Sequence, residues 1–278
     1  MFAGLLILVG SFFAEVADSI GKKQVQRSKQ NVYSLGFLNS FWVTIILFVS
    51  IILGANFTFN TASFPTFLTR VVLEIVLAHI TVLGIIRAER STFAYVRLLT
   101  IPLVLIIDLV LGNSLGMAQI IGVNLVLLGL IILLYRNPKS NKGAWTVVLG
   151  TVIASITLSL FKYDITHYNS VAAEQLLVTS AVVFYFYIAS VVRKQRVDLS
   201  LLIKPWTALQ SLSSGLETAF VSFAFYYAPT SIITVLKRTT AMFWAVLFGH
   251  RYFKEEAMLR KVLAGILIGC GLIFVLVR

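Results

Sequence analysis

Apolar residues run in ten long blocks along the chain, separated by short polar or basic segments. Each block approaches the ~20 residues that a helix needs to cross a bilayer core. The pattern predicts spans at 1–20, 31–54, 66–86, 91–112, 116–135, 144–162, 170–192, 205–227, 230–250 and 258–277. Within blocks of this kind polar residues are costly, so those that interrupt them carry information. Glu74 and Glu217 fall midway along the third and eighth blocks, and Arg97, Lys237 and Arg238 about six residues into the fourth and ninth. Pro102 sits mid-block in the fourth, where it removes a backbone donor and predicts a kink.

Composition agrees with a polytopic membrane protein: 59% of residues are hydrophobic and mean hydropathy is +0.93. The net charge of +12 does not mark a nucleic-acid-binding surface, because the basic residues are spread over alternate loops. Seventeen of the 23 lie after the first, third, fifth, seventh and ninth blocks, beginning with Lys22, Lys23, Arg27 and Lys29, against Arg70, Lys162 and Arg278 near the other side. The positive-inside rule then makes those five loops cytoplasmic and puts both termini outside. The first block opens at Met1 with no basic leader and no small-residue cleavage site, so it reads as a span and not as a cleaved signal. Cys270 is alone and the three histidines are scattered, which leaves no disulfide and no metal-ligand cluster in the sequence pattern. Asn56-Phe57-Thr58 fits a glycosylation sequon of a kind frequent by chance.

The two halves align. With Glu74 set on Glu217, Leu73 falls on Leu216; after a turn of different length, the run from Ser91 to Arg97 falls on that from Ser231 to Lys237, and Thr100 on Thr240. Gly122 and Gly129 resemble Gly265 and Gly271. A unit with five crossings must enter the membrane from opposite sides in its two copies. The expected fold is therefore all-α and integral to the membrane, with ten transmembrane helices as two inverted five-helix repeats over residues 1–139 and 140–278, and a site between the repeats.

Candidate site residues follow from depth and spacing. Glu74 and Glu217 can bind a cation or exchange a proton, since burial raises a carboxyl pKa. Arg70, four residues before Glu74 on the same helical face, is positioned to neutralise it, which leaves Glu217 as the unpaired acid. Arg97, Lys237 and Arg238 can hold an anionic group or balance the glutamates; the competing reading is that they snorkel across about 9 Å to the interface. Asp108 lies three turns beyond Arg97 on nearly the same face, or else reaches water at the end of its span. Glu15 is deep in the first span, whereas Asp18 pairs most simply with Lys22 at the rim. Glu174, near an outer end, is expected to be solvated. The aromatic runs around Phe184–Tyr187 and Phe223–Tyr227 suit interfacial belts and packing better than a cation–π wall.

The chain resembles the drug/metabolite transporter superfamily, specifically its ten-span EamA-type members, over nearly its whole length. The best local stretch runs from Ala241-Met242-Phe243-Trp244 through Phe253-Lys254-Glu255-Glu256 into the helix with Gly265, Gly269 and Gly271. The first helix is also similar to that of small multidrug resistance proteins through Ala14-Glu15-Val16 and Lys23. The resemblance implies that Glu15 binds protons and cationic substrate. It implies a multi-pass protein of the plasma (cell inner) membrane, and it sets cytoplasmic termini against the outward termini of the charge bias. The function expected is secondary transport of a small polar or charged metabolite or drug by alternating access, coupled to protons or to exchange, with the bilayer and a second copy of the chain as further candidate partners. No Walker loop or cofactor motif is present, and no nucleophile–base pair argues for an enzyme. The alternatives are a lipid-handling intramembrane protein and a non-transporting scaffold or receptor.

Overall fold

A computed structural model describes residues 2–28, 31–110, 116–134, 143–195, 197, 199–227, 230–253, 263, 265–271 and 274. Among these the chain is about 90% helical and has no strand, which makes it all-α. The helices are α1 (Phe2–Ser28), α2 (Val32–Ile52), α3 (Phe64–Arg87), α4 (Arg90–Val96), α5 (Thr100–Val110), α6 (Met117–Leu134), α7 (Ala144–His167), α8 (Val171–Val192), α9 (Pro205–Tyr227) and α10 (Thr230–Phe253). Most starts and ends lie within about three residues of the expected spans, because the apolar runs are bounded by capping chemistry. Asn31 accepts from the Ser34 amide ahead of α2, and Ser170 accepts from the Ala173 amide ahead of α8. Pro65 opens α3 where no intrahelical donor is needed. Gly143 precedes α7 at φ +83°, and a Cβ there would lie 2.8 Å from that of Arg87.

Among the described residues, six helical segments are long and apolar enough to cross a membrane: Phe2–Gln24, Val32–Ile52, Thr61–Arg87, Ala144–His167, Val171–Val192 and Ile232–Tyr252. The other expected spans differ for local reasons. The fourth is split into α4 and α5 by a 3-10 turn at Arg97–Leu99. Pro102 cannot donate to the Leu98 carbonyl one turn back, and next to that position the Thr100 hydroxyl donates to the Arg97 carbonyl at 2.6 Å. α9 is 23 residues long, but Gln210, Ser211, Ser213, Ser214 and Glu217 keep it too polar. Most of 258–277 lies outside the described residues; its helix at 265–271 packs at Gly271 against Gly122 of α6.

The surface is inverted relative to that of a water-soluble protein. Large apolar side chains such as Leu8, Phe48, Leu53, Val72, Val110, Trp145 and Phe184 are exposed, while Glu15, Arg70, Asp164, Glu174 and Arg238 are buried. That distribution fits lipid outside and a polar interior. Together with the long apolar helices, it is consistent with a multi-pass membrane protein.

Packing sets the helices around a centre. α1 lies along α9 and α10, α2 between α8 and α9, and α7 against α3, α4 and α5. Gly36 lets α2 meet α8 closely, since a Cβ there would sit 2.3 Å from the Phe186 ring. At one end, Lys22 donates to the Ala88 carbonyl and Gly143 abuts Arg87, gathering the end of α1, the end of α3 and the start of α7. At the other, the 55–60 segment is tied to the α7–α8 turn through Ser170 with Thr58, and Asn169 with Asn60. α3 and α7 therefore run antiparallel.

Candidate functional site

A cavity of about 330 Å³ lies between α1, α2, α3, α4, α7, α8, α9 and α10. Its size lies at the small end of ligand pockets. Eight charged residues line it, four acidic (Glu15, Asp18, Glu74, Glu217) and four basic (Arg70, Arg97, Lys237, Arg238). Six of the seven residues selected from the sequence are in this set. The seventh, Asp108, lies in α5 with its side chain outside the described residues.

The pairings differ from those expected. Lys237 Nζ meets Glu217 Oε1 at 2.7 Å, with side chains 23% and 17% exposed, and Thr218 donates to the other carboxylate oxygen at 3.1 Å. Glu217 is thus not the unpaired acid. The two residues face each other from α9 and α10, and Lys237 turns inward where snorkelling would carry it outward. Arg97 lies over the Phe93 ring at 5.0 Å and within electrostatic range of both Glu217 and Arg238. Glu15, 3% exposed, accepts from the Ser19 hydroxyl at 2.8 Å. Lys22 is buried and donates to the Ala88 carbonyl.

Arg70 does not neutralise Glu74. Its guanidinium reaches across to α8, giving one nitrogen to Glu174 and another to Gln175, both at 2.7 Å, and lies over the Phe161 ring at 4.5 Å. An arginine fork with two acceptors and an aromatic face available on neighbouring helices outcompetes a carboxylate one turn away on its own helix. Glu174 is 0% exposed, not solvated, because Asn169 donates to its second oxygen at 2.6 Å. Ser63 joins Asn169, and Thr66 donates to Asp164 at 2.6 Å, completing a polar cluster between α3, α7 and α8. Gln175 links this cluster to α9 through the Ser222 hydroxyl at 2.7 Å.

Two cavity residues stand apart. Glu74 is half-buried and Arg238 is 5% exposed; neither makes a hydrogen bond or ion pair with the described residues, and the Arg238 Nε has no acceptor. The apolar walls between the charges come from Phe93, Phe161, Phe186 and Phe225, with Phe161 and Phe225 edge-to-face at 5.6 Å. Sequence reading missed Asn169, Gln175 and Phe161. The first two carried a signal, as uncharged polar residues flanking the start of an apolar block; Phe161 carried none, being one of many aromatics in apolar runs. No known protein-family model matches the chain and no curated protein matches it, so the family resemblance drawn from the sequence stands as a proposal.

Proposed function

We propose that the chain is a secondary transporter of a small polar or charged solute, of the EamA-type drug/metabolite class, working by alternating access. One observation carries the reading: charged residues from both halves of the chain, selected because a membrane span disfavours them, converge on one cavity. A scaffold needs no such cavity, and ionisable residues buried within membrane spans mark substrate and ion pathways.

The inverted-repeat arrangement is part of the proposal. If residues 1–139 and 140–278 are equivalent, exchanging them turns the α1–α9 packing into α7–α3, and α1–α10 into α7 against α4 and α5, while α2–α8 maps onto itself. All of these neighbours occur. The break at Arg97–Leu99 in one half lies opposite an unbroken α10 carrying Lys237 in the other, which is the asymmetry that rocking between two states needs at a pair of equivalent helices. Termini outside, a plasma (inner) membrane location, coupling to protons through Glu15, Glu74 or Glu217, and assembly as a homodimer belong to the same reading. Arg70 is committed to Glu174 and Lys162 to the Phe225 carbonyl, so the side counted as outer has still less free basic charge than its sequence suggests.

The test is a thermal-stability screen of purified protein against amines, amino acids and sugar nucleotides, since a ligand of the folded state raises its melting temperature. Uptake of each hit into proteoliposomes follows, for the wild type and for Glu217→Gln and Lys237→Ala. Both variants are expected to lose uptake at least tenfold; unaltered uptake in both would sink the site assignment.

A further inference from the structure

Six of the eight charges around the cavity are already engaged. Glu217 and Lys237 hold each other, and Arg70 is held by Glu174 and Gln175. Glu15, Asp18 and Arg97 interact with other groups of the protein. The two that remain, Glu74 on α3 and Arg238 on α10, have opposite signs and come from different halves of the chain. Arg238 is the more demanding of the two: the residue is only 5% exposed and its Nε is unsatisfied, and although it lies within electrostatic range of Glu217 it makes no hydrogen bond to it. An unpaired charge at that depth is costly, so it is retained for a partner that arrives from outside the protein.

Deepening the transporter reading and resting on it for the purpose of the site, we propose that the cavity binds a zwitterion, its carboxylate on Arg238 and its ammonium on Glu74. The guanidinium fork matches a carboxylate bidentately, and a carboxylate side chain complements an ammonium. Such a ligand satisfies both uncommitted charges and adds none to a cavity whose lining is already balanced. A single anion leaves Glu74 unpaired beside it, and a single cation leaves Arg238 unpaired. The phenylalanine walls suit a hydrocarbon segment between the two ends. The volume of about 330 Å³ restricts the ligand to a small metabolite.

Binding is tested by calorimetry on full-length protein in detergent, independently of any uptake. The probes are leucine and the ω-amino acids from 3-aminopropanoate to 6-aminohexanoate, each compared with its N-acetyl form, which lacks the cation, and its amide, which lacks the anion. At least one zwitterion is expected to bind tenfold or more tighter than both derivatives. Glu74→Gln should abolish the advantage over the N-acetyl form while leaving the affinity of that form unchanged, and Arg238→Gln should abolish the advantage over the amide. Should Arg238→Gln aggregate, Arg238→Lys keeps the charge without the fork and is expected to weaken all carboxylate ligands while preserving their preference over amides. The proposal is overturned if a derivative binds as tightly as its parent, if the advantage survives in Glu74→Gln, or if no member binds monodisperse protein. The expected binding pattern without uptake refutes the transporter and leaves the zwitterion site; uptake of singly charged solutes with no preference for zwitterions does the reverse.

Discussion

Arg70 and Lys237 each meet a glutamate at 2.7 Å inside the helical bundle, yet their surroundings differ. Around Arg70 the partners close on one another: Glu174, Gln175, Asn169, Ser63 and the Phe161 face leave a pair that is 2% and 0% exposed. It joins α3 to α8 beside the turn that also anchors the 55–60 segment. Around Lys237 the pair is partly exposed to the cavity and is flanked by Arg97 and the unpartnered Arg238. The first network is closed to solvent, although the Arg70 Nε and one Asp164 oxygen have no partner; a closed, multiply bonded network holds helices in one arrangement, whereas charges that face a cavity leave room for a second arrangement or a guest. On the transporter reading proposed above, the first cluster serves stability and the second serves solute handling.

The largest expected effect attacks the first cluster. Arg70→Met leaves Glu174 buried without its cation and should cost about 3–5 kcal/mol, read as a marked fall in the thermal unfolding midpoint in detergent. Removing both charges in Arg70→Met with Glu174→Leu should restore much of that loss. A single variant as stable as the wild type would dissolve the distinction between the clusters. Next, Asn169→Ala strips one donor from Glu174 and should cost about 1–3 kcal/mol on the same scale. Glu217→Gln breaks a pair that faces the cavity, so it should destabilise less than Arg70→Met while uptake falls at least tenfold. Thr218→Val removes only a 3.1 Å bond to Glu217 and should change stability by a few tenths of a kcal/mol up to about 1 kcal/mol. If the Glu217 variants destabilise as much as those at Arg70, both clusters are structural.

Much of the architecture was legible because bilayer-length apolar runs leave little choice of element. The break before Pro102 was legible too, since proline acts on its own helix. The cavity set was legible for a related reason: each charge within an apolar run had to face inward, and inward faces meet. The partners were not. Spacing put Arg70 and Glu74 on one face, but the side chain is long enough to choose among helices, and nothing local showed that α8 would bring Glu174 and Gln175 within reach. The same limit reversed the ranking of the two glutamates. Glu217 has the lysine and Glu74 has none, because α10 crosses α9 at a height that no spacing within either helix specifies.

The central claim is that the cavity opens to each side of the membrane in turn, and it can be tested without knowing the solute. Ser214 lines the cavity from α9, and the exposed Cys270 can be replaced by serine to give a clean background. Ser214→Cys in oriented proteoliposomes is then exposed to a membrane-impermeant thiol reagent on the outside in one sample and on the inside in another. Labelling from both sides, faster from one and slower from the other when a ligand from the screen is added, is the predicted result; labelling from a single side only, or from neither, would contradict the account.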